Sequence, residues 1–255
     1  MPIIKINSQH VHIQQLNPAA PETIVLVHGM LGNLSVFYFK IAPILARHFH
    51  VVMYDLKSHG RTEKVAHGYD LESLTDDLMN LLQKLDLSSV YLAGYSFGGL
   101  ISLKMATRFP SFVKKLVLIE APNPNDDQTR LMIDSYTRES LENYLGQTSQ
   151  IQPGTRAMER KHRINDYLFH ETSIKIDILK ERDFFDTAAI NKLPHHTLLL
   201  YGTESPCNEA GHELMKKIEN STLLAIEGDH HIPLQEPIRI ANLIGTFFNN
   251  QYQEI

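Results

Sequence analysis

The run Gly94-Tyr95-Ser96-Phe97-Gly98 lies between the apolar stretch Val90-Tyr91-Leu92-Ala93 and the apolar-periodic segment Leu100 to Phe109. A strand that turns sharply into a helix at this point presents the Ser96 hydroxyl at the turn, in the form of a nucleophile elbow. A serine hydroxyl is a weak nucleophile by itself, so the chemistry such a turn serves is attack on an acyl carbon assisted by a neighbouring base. Gly94, Gly98 and Gly99 leave room for the tight backbone. The following helix directs its first amide, Phe97 N–H, toward a developing oxyanion. A second donor is expected from Met30, because His28-Gly29-Met30-Leu31-Gly32 follows the apolar run Ile24-Val25-Leu26-Val27 and its glycines let the backbone turn toward the same point. One such donor contributes about 2.7–4 kcal/mol in the transition state. The plain alternative for this second segment is a glycine-rich strand end with a structural histidine.

The elements that must hold these groups follow from the apolar periodicity. Ile3 to Ile6 and His10 to Gln15, separated by Asn7-Ser8-Gln9, read as an opening hairpin. Short apolar runs bounded by turn residues predict buried strands at Thr23 to Val27, His50 to Tyr54, Val90 to Ala93, Lys115 to Ile119, Thr197 to Tyr201 and Thr222 to Ile226. Helical patterns lie between them at Val36 to Arg47, Leu71 to Leu85, Leu100 to Phe109, Glu209 to Ile218 and Pro237 to Asn249. This alternation predicts an α/β fold, a mostly parallel sheet with helices on both faces. The long interval between Ile119 and Thr197 breaks the rhythm. It opens with Pro122-Asn123-Pro124-Asn125-Asp126-Asp127, contains amphipathic stretches at Thr129 to Leu145 and Thr155 to Phe169, and closes at Leu193-Pro194. It reads as an inserted helical cap, residues 122–193, on a core formed by residues 1–121 and 194–255.

Composition narrows the functional classes. With 255 residues and 43% hydrophobic content the chain can bury a large core. A net charge of -5 with both signs interspersed argues against nucleic acid as a partner, since phosphate contacts need a concentrated basic surface. No apolar run is long enough to span a bilayer, and the start Met1-Pro2-Ile3-Ile4-Lys5 lacks a signal core, which predicts a cytoplasmic protein. The single cysteine, Cys207, excludes an internal disulfide framework and is a weak nucleophile candidate. The 14 histidines are scattered without metal-ligand spacing, so neither a metal nor an organic cofactor is expected. His10 and His12 alternate on a strand and read as one sheet face.

The elbow, His28-Gly29, the segment Asp55-Leu56-Lys57-Ser58-His59-Gly60-Arg61 and the late segment Gly228 to Pro237 together resemble the α/β-hydrolase fold superfamily over nearly the whole chain. The resemblance implies a nucleophile, acid, histidine order along the sequence. Glu227-Gly228-Asp229-His230-His231-Ile232-Pro233-Leu234-Gln235-Glu236-Pro237 resembles the family's histidine loop. Laying the family pattern Gly-x-x-His-x-Pro on Gly228 and Pro233 selects His231 as base; His230, in a Gly-Asp-His version of the loop, is the alternative. Most relatives carry an aspartate in a Gly-x-x-Asp turn after the strand that corresponds to Thr197 to Tyr201, but here Gly202-Thr203-Glu204-Ser205-Pro206 places Ser205 there. Some family members, among them certain lipases and polyketide thioesterases, carry the acid at the end of the strand after the elbow helix, and this assigns Glu120. Glu204 and an acid-free dyad are the alternatives, and the bland reading of Glu120 is a brace for loops.

Asp55 and His59-Gly60 read as loop-stabilising hydrogen-bond partners, and Asp229 as the holder of its own turn. Arg156, Arg160, Lys161, His162 and Arg163 form a basic patch suited either to an anionic substrate tail or to a solvated helix face. Phe37, Tyr38, Phe39, Tyr95 and Phe97 suit an acyl pocket or the core. The resemblance implies a serine hydrolase in which Ser96, His231 and Glu120 act on a small-molecule ester or thioester, carrier-bound acyl groups included, with Met30 and Phe97 as the oxyanion donors. Serine at the elbow speaks against the dehalogenase and epoxide-hydrolase branches, which use aspartate. A carbon–carbon bond hydrolase or lyase of the same fold and a non-enzymatic small-molecule receptor are the rival readings.

Overall fold

A computed structural model describes residues 2–126, 137–139, 142 and 154–249. Among them the strands β1 (Ile3–Ile6), β2 (Gln9–Leu16), β3 (Thr23–Val27), β4 (His50–Tyr54), β5 (Val90–Tyr95), β6 (Val113–Ile119), β7 (Thr197–Gly202) and β8 (Ser221–Ile226) form one sheet in the order β1-β2-β4-β3-β5-β6-β7-β8. The first two strands are antiparallel, as β2 is to β4, and from β4 onward the sheet is parallel. The runs TIVLV of β3, HVVMY of β4 and TLLLYG of β7 are buried at every position, as expected where helices cover both faces.

Side-chain alternation sorts the core into two layers. Val25 and Val27 of β3 pack with residues of the helices Leu71–Lys84 and Phe97–Arg108, while Ile24 and Leu26 face Phe37, Leu45 and the helix Pro237–Phe248. The helix Leu71–Lys84 starts where the Asp70 side chain accepts the Ser73 amide at 2.8 Å, with Glu72 in its first turn and Lys84 in its last. The continuous helix expected over Val36 to Arg47 is instead two single turns, Ser35–Tyr38 and Ala42–Leu45. Pro43 explains the break: it has no N–H to donate to the carbonyl of Phe39. The elbow helix begins earlier than the periodicity suggests, at Phe97, directly after Ser96.

Parallel pairing lines up the strand ends. Val27 pairs with Gly94, Tyr95 with Ile119, Ile119 with Leu200, and Gly202 with Ile226. The loops that leave β3, β5, β6, β7 and β8 therefore emerge along one edge, where open α/β sheets place their sites. The interval between β6 and β7 contributes the helices Arg156–Glu171, Ile174–Leu179 and Ala188–Asn191. Ser173 N–H donates to Ala66 O at 2.8 Å, Asp177 Oδ2 accepts the Tyr69 amide at 3.0 Å, and Glu181 Oε1 accepts the Leu71 amide at 2.9 Å, so this interval rests on the loop after β4. The expected stretch Thr129 to Leu145 lies almost wholly outside the described residues. Among the described residues no helix is long and apolar enough to cross a membrane.

Buried polar groups tie the loops after β3 and β4 together. Asp55, nearly inaccessible, accepts the Leu34 amide at 2.8 Å, the Arg61 amide at 2.9 Å and His12 Nδ1 at 2.7 Å. His28 Nε2 accepts the Leu56 amide at 3.0 Å and its Nδ1 donates to Gly29 O at 2.7 Å; His59 Nε2 accepts the Leu31 amide at 3.2 Å and its Nδ1 donates to Lys57 O at 2.9 Å. Asp55 and His59 thus hold loops, as read from the sequence. Each imidazole uses one nitrogen as acceptor and must be neutral. Burial pushes both below the ordinary histidine value, His59 down to about 3.

Above about pH 6.5 these rings are neutral in folded and unfolded chains alike, and the stability they confer is complete. As pH falls from there toward about 3, the unfolded chain takes up protons that folded His59 refuses, and stability declines. Thermal melting of the wild type is expected to drop between pH 7.5 and pH 5, and the drop to be smaller in His59→Gln. Equal drops in both proteins would refute a neutral, load-sharing His59.

Candidate active site

β5 ends in Gly94-Tyr95, and Ser96 follows with φ 54 and ψ −123, a backbone conformation costly for an L-residue. Its amide donates to Ile119 O at 2.8 Å, and the helix Phe97–Arg108 starts at the next residue. Gly98 is required by close approach: a Cβ there would stand 2.2 Å from Val27 O. The turn therefore presses against the end of β3. Gly29, in the loop leaving β3, lies so near that an added Cβ would be 2.9 Å from the Ser96 Cβ. The Phe97 amide, first in its helix, has no intrahelical carbonyl to bond. Met30 is half-buried in the loop beside Gly29.

The histidine in contact with Ser96 is His230. Its Nε2 lies 3.0 Å from Ser96 Oγ, and its Nδ1 lies 3.0 Å from Glu120 Oε2. The preference for His231 is corrected by the local turn. Asp229 Oδ1 accepts both the His231 amide at 2.7 Å and His231 Nδ1 at 3.0 Å, which turns that ring away. His231 also caps the single helical turn Ile232–Gln235, where Pro233 sits in the first turn. A pattern counted back from the proline thus selects the capping residue, and the side chain before it reaches the serine. Asp229 does hold its own turn, as read from the sequence. Tyr95 Oη donates to His230 O at 2.9 Å and its ring lies beside the His230 ring, 5.4 Å between centroids, which fixes the loop over the elbow.

Glu120 is completely buried, with φ 55, directly after β6. Its amide donates to Leu200 O at 2.9 Å, so its side chain faces the turn after β7. There Oε1 accepts the Gly202 amide, and Oε2 accepts the Ser205 hydroxyl as well as His230 Nδ1. Ser205 Oγ in turn accepts the Cys207 amide at 3.0 Å. Ser205, at the position where the resemblance places an aspartate, is thus a hydroxyl bridge that orients the Glu120 carboxylate. Glu204 is exposed and takes no part in these contacts.

Cys207 was not separable from an ordinary core residue by its sequence context. Its Sγ is 3.5 Å from His230 Nδ1. Burial disfavours the charged His230 ring, but Cys207 Sγ and the Glu120 carboxylate, both at Nδ1, outweigh it and hold the ring above the ordinary histidine value. The ligand atoms of Glu120, Cys207 and His230 lie within 4.8 Å of one another, a spacing that would suit a metal ion among the described residues. Two of the three are engaged in the contacts that lead to Ser96, so occupancy by a metal would break that relay.

The basic patch on Arg156–Glu171 divides. Arg156, Arg160 and Arg163 are exposed, Lys161 is half-buried and His162 is buried. Of the aromatics, Phe37 and Phe97 belong to the core, Phe39 is 74% exposed, and Tyr95 supports His230.

The family model of the alpha/beta hydrolase fold matches residues 22–255. Among curated proteins, "Putative carbamate hydrolase RutD" of Pantoea ananatis is 36% identical over 117 residues, 46% of this chain and 42% of that protein. The dihydrolipoyllysine-residue acetyltransferase component of the acetoin cleaving system of Pseudomonas putida is 40% identical over 96 residues, 38% of this chain and 26% of that protein. The matching stretch spans less than half the length of either relative. Among solved structures, the enol-lactonase of Burkholderia xenovorans LB400 superposes with a TM-score of 0.76 at 20% identity, covering 97% of this chain and 100% of that one. A serine hydrolase of the polyaromatic hydrocarbon-degrading Cycloclasticus zankles reaches 0.78 at 19% identity, covering 99% of each chain. The sheet order, the elbow and the family match along nearly the whole sequence agree: the chain belongs to the alpha/beta hydrolase fold family.

Proposed function

We propose that the protein is a serine hydrolase that cleaves a carboxylic ester or thioester through an acyl-enzyme, with Ser96 as nucleophile, His230 as base and Glu120 as acid. The observation that carries this reading is the continuous chain Ser96 Oγ, His230 Nε2, His230 Nδ1, Glu120 Oε2, with 3.0 Å at each hydrogen bond. Ser96 Oγ attacks the acyl carbon while His230 Nε2 takes its proton; the amides of Met30 and Phe97 receive the oxyanion. The His230 proton then passes to the leaving alcohol or thiol. Water, deprotonated by the same ring, resolves the acyl-enzyme and restores the serine. Glu120 stays ionised throughout, holding the ring in the Nδ1–H tautomer, and Ser205 and the Gly202 amide keep it in place. Residues 122–193 act as a cap over the site. The contact between Glu120 and His230 supports an enzyme over a non-enzymatic receptor.

Fluorophosphonate is expected to label the wild type at Ser96, located by mass spectrometry, with turnover of p-nitrophenyl acyl esters that peaks at one chain length. His230→Ala and Glu120→Gln are expected to lower kcat on the order of 10³- to 10⁴-fold with the fold retained by circular dichroism. His231→Gln and Glu204→Gln retain labelling. Loss of turnover in His231→Gln with retention in His230→Ala would overturn the base assignment.

The raised His230 value has a consequence for rate. The ring must be neutral to accept the Ser96 proton, so kcat/KM is expected to climb with pH along a limb whose midpoint lies above imidazole's ordinary value of about 6.5. Cys207→Ala removes one of the two groups that favour the charged ring and should move that midpoint downward. A midpoint unchanged in Cys207→Ala would show that the thiol does not bear on His230.

A further inference from the structure

Lys161 lies on the inner stripe of the helix Arg156–Glu171, with buried Met158, His162, Asn165, Leu168 and Phe169. Its Nζ donates to Leu31 O at 3.2 Å. Leu31 follows Met30, the proposed second oxyanion donor, and Gly29 of the same loop packs close to Ser96, so the ammonium is bonded to the loop that borders the proposed reaction centre. No carboxylate pairs with Lys161 among the described residues. The charged or titratable groups that bear on it are Arg160 and the neutral rings of His28 and His59, and burial lowers its affinity for a proton. Elsewhere the protein neutralises a buried lysine directly: Lys57, on the loop after β4, meets Asp77 at 2.8 Å. A half-buried ammonium with a single carbonyl acceptor keeps donors and charge that an arriving anion can meet.

A second observation on the same face points to a ligand. Asn165, one helical turn beyond Lys161, is fully inaccessible, and among the described residues neither its Oδ1 nor its Nδ2 has a hydrogen-bond partner. Buried amides are almost always satisfied, so an orphan pair of this kind calls for a further partner, which a water or a ligand group can supply. Residues four apart share a helix face, so Lys161 and Asn165 lie on the same side of the helix, the one that meets the loop after β3. A cation with spare donors next to a neutral N–H donor is the arrangement that recognises a carboxylate.

We propose that Lys161 and Asn165 form a subsite for a free carboxylate on the substrate, so that the preferred substrates are esters or thioesters carrying a second, ionised acid group. This rests on the serine-hydrolase reading for its chemistry, but binding at the subsite does not require turnover. Lys161 supplies the charge, the Asn165 amide supplies direction, and the helix carries both on the face that meets the loop after β3. The outward cations Arg156, Arg160 and Arg163 remain in water and take no part.

The experiment compares mono-p-nitrophenyl esters of succinic, glutaric and adipic acid with the neutral monoacid esters of the same chain length. The wild type is expected to favour an acidic ester on the order of 10- to 100-fold in kcat/KM, the size of a charge-assisted hydrogen bond. Lys161→Met should bring that ratio close to unity, Asn165→Ala should reduce it, Lys161→Arg should keep part of it, and Arg163→Met should leave the ratio as in the wild type. Thermal shift with millimolar glutarate or adipate, on Ser96→Ala as well as wild type, reads the subsite without catalysis: both proteins should be stabilised, and Lys161→Met should not. An equal loss on acidic and neutral esters in Lys161→Met would mean that the lysine only props Leu31, and would overturn the proposal. So would a wild type with no preference and no stabilisation by either diacid. Absent Ser96 labelling with diacid stabilisation intact would instead sink the hydrolase reading and leave a carboxylate-binding protein.

Discussion

The buried carboxylate of Glu120 is the constraint on which the site turns. A fully inaccessible carboxylate is tolerated only where its lone pairs are matched by donors, and here the donors come from three separate pieces of chain: the Gly202 amide, the Ser205 hydroxyl and His230 Nδ1. Satisfying Glu120 therefore fixes the turn after β7 and the loop after β8 relative to the end of β6. Delivery of His230 Nε2 to Ser96 is a by-product of that satisfaction. The carboxylate would be under-bonded if either loop moved away, and the His230 ring would leave the serine with it.

Strain collects at the same edge. Ser96, Glu120, Leu31 and Ser58 all adopt positive φ without being glycine, at 54, 55, 62 and 61 degrees. Each such residue costs of order 1–3 kcal/mol and persists only where its surroundings over-determine it. The over-determination is visible for each: Ser96 and Glu120 donate their amides to Ile119 O and Leu200 O of the adjacent parallel strands, the Leu31 amide is held by His59, and the Ser58 hydroxyl donates to Val65 O. A sheet whose strands β3, β4 and β7 are buried at every position is stiff enough to carry these distortions, and they in turn aim the side chains.

What the sequence reveals and what it hides divide along physical lines. The strands and most helices are legible because a buried parallel sheet writes continuous apolar runs between amphipathic ones, and Ser96 is legible because the elbow demands small neighbours in a fixed pattern. The helix over Val36 to Arg47 misleads because periodicity does not register one missing N–H, that of Pro43. The choice between His230 and His231 turns on which ring Asp229 captures, a matter of one hydrogen bond inside one turn. The sequence marks Cys207 only as a weak nucleophile candidate, since its contact with His230 depends on a chain crossing that brings the two loops together. The basic patch is legible as charge but not as geometry: the helix's rotation sends Arg156, Arg160 and Arg163 to water and Lys161 inward.

The register of β6 and β7 lets a carboxylate at the end of β6 serve the turn after β7. Ile119 pairs with Leu200, so the residue after Ile119 stands level with Tyr201, one step before the turn that opens at Gly202. A side chain projecting from either strand end can reach the same Nδ1. The longer glutamate spans the inter-strand gap, and the turn then needs only something short that donates, which Ser205 does. An aspartate at position 205 facing Glu120 would set two carboxylates against one proton, an arrangement that raises the pKa of one of them and weakens its hold on the imidazolium. Serine at 205 and glutamate at 120 are therefore one choice rather than two: the hydroxyl is the complement of the displaced acid.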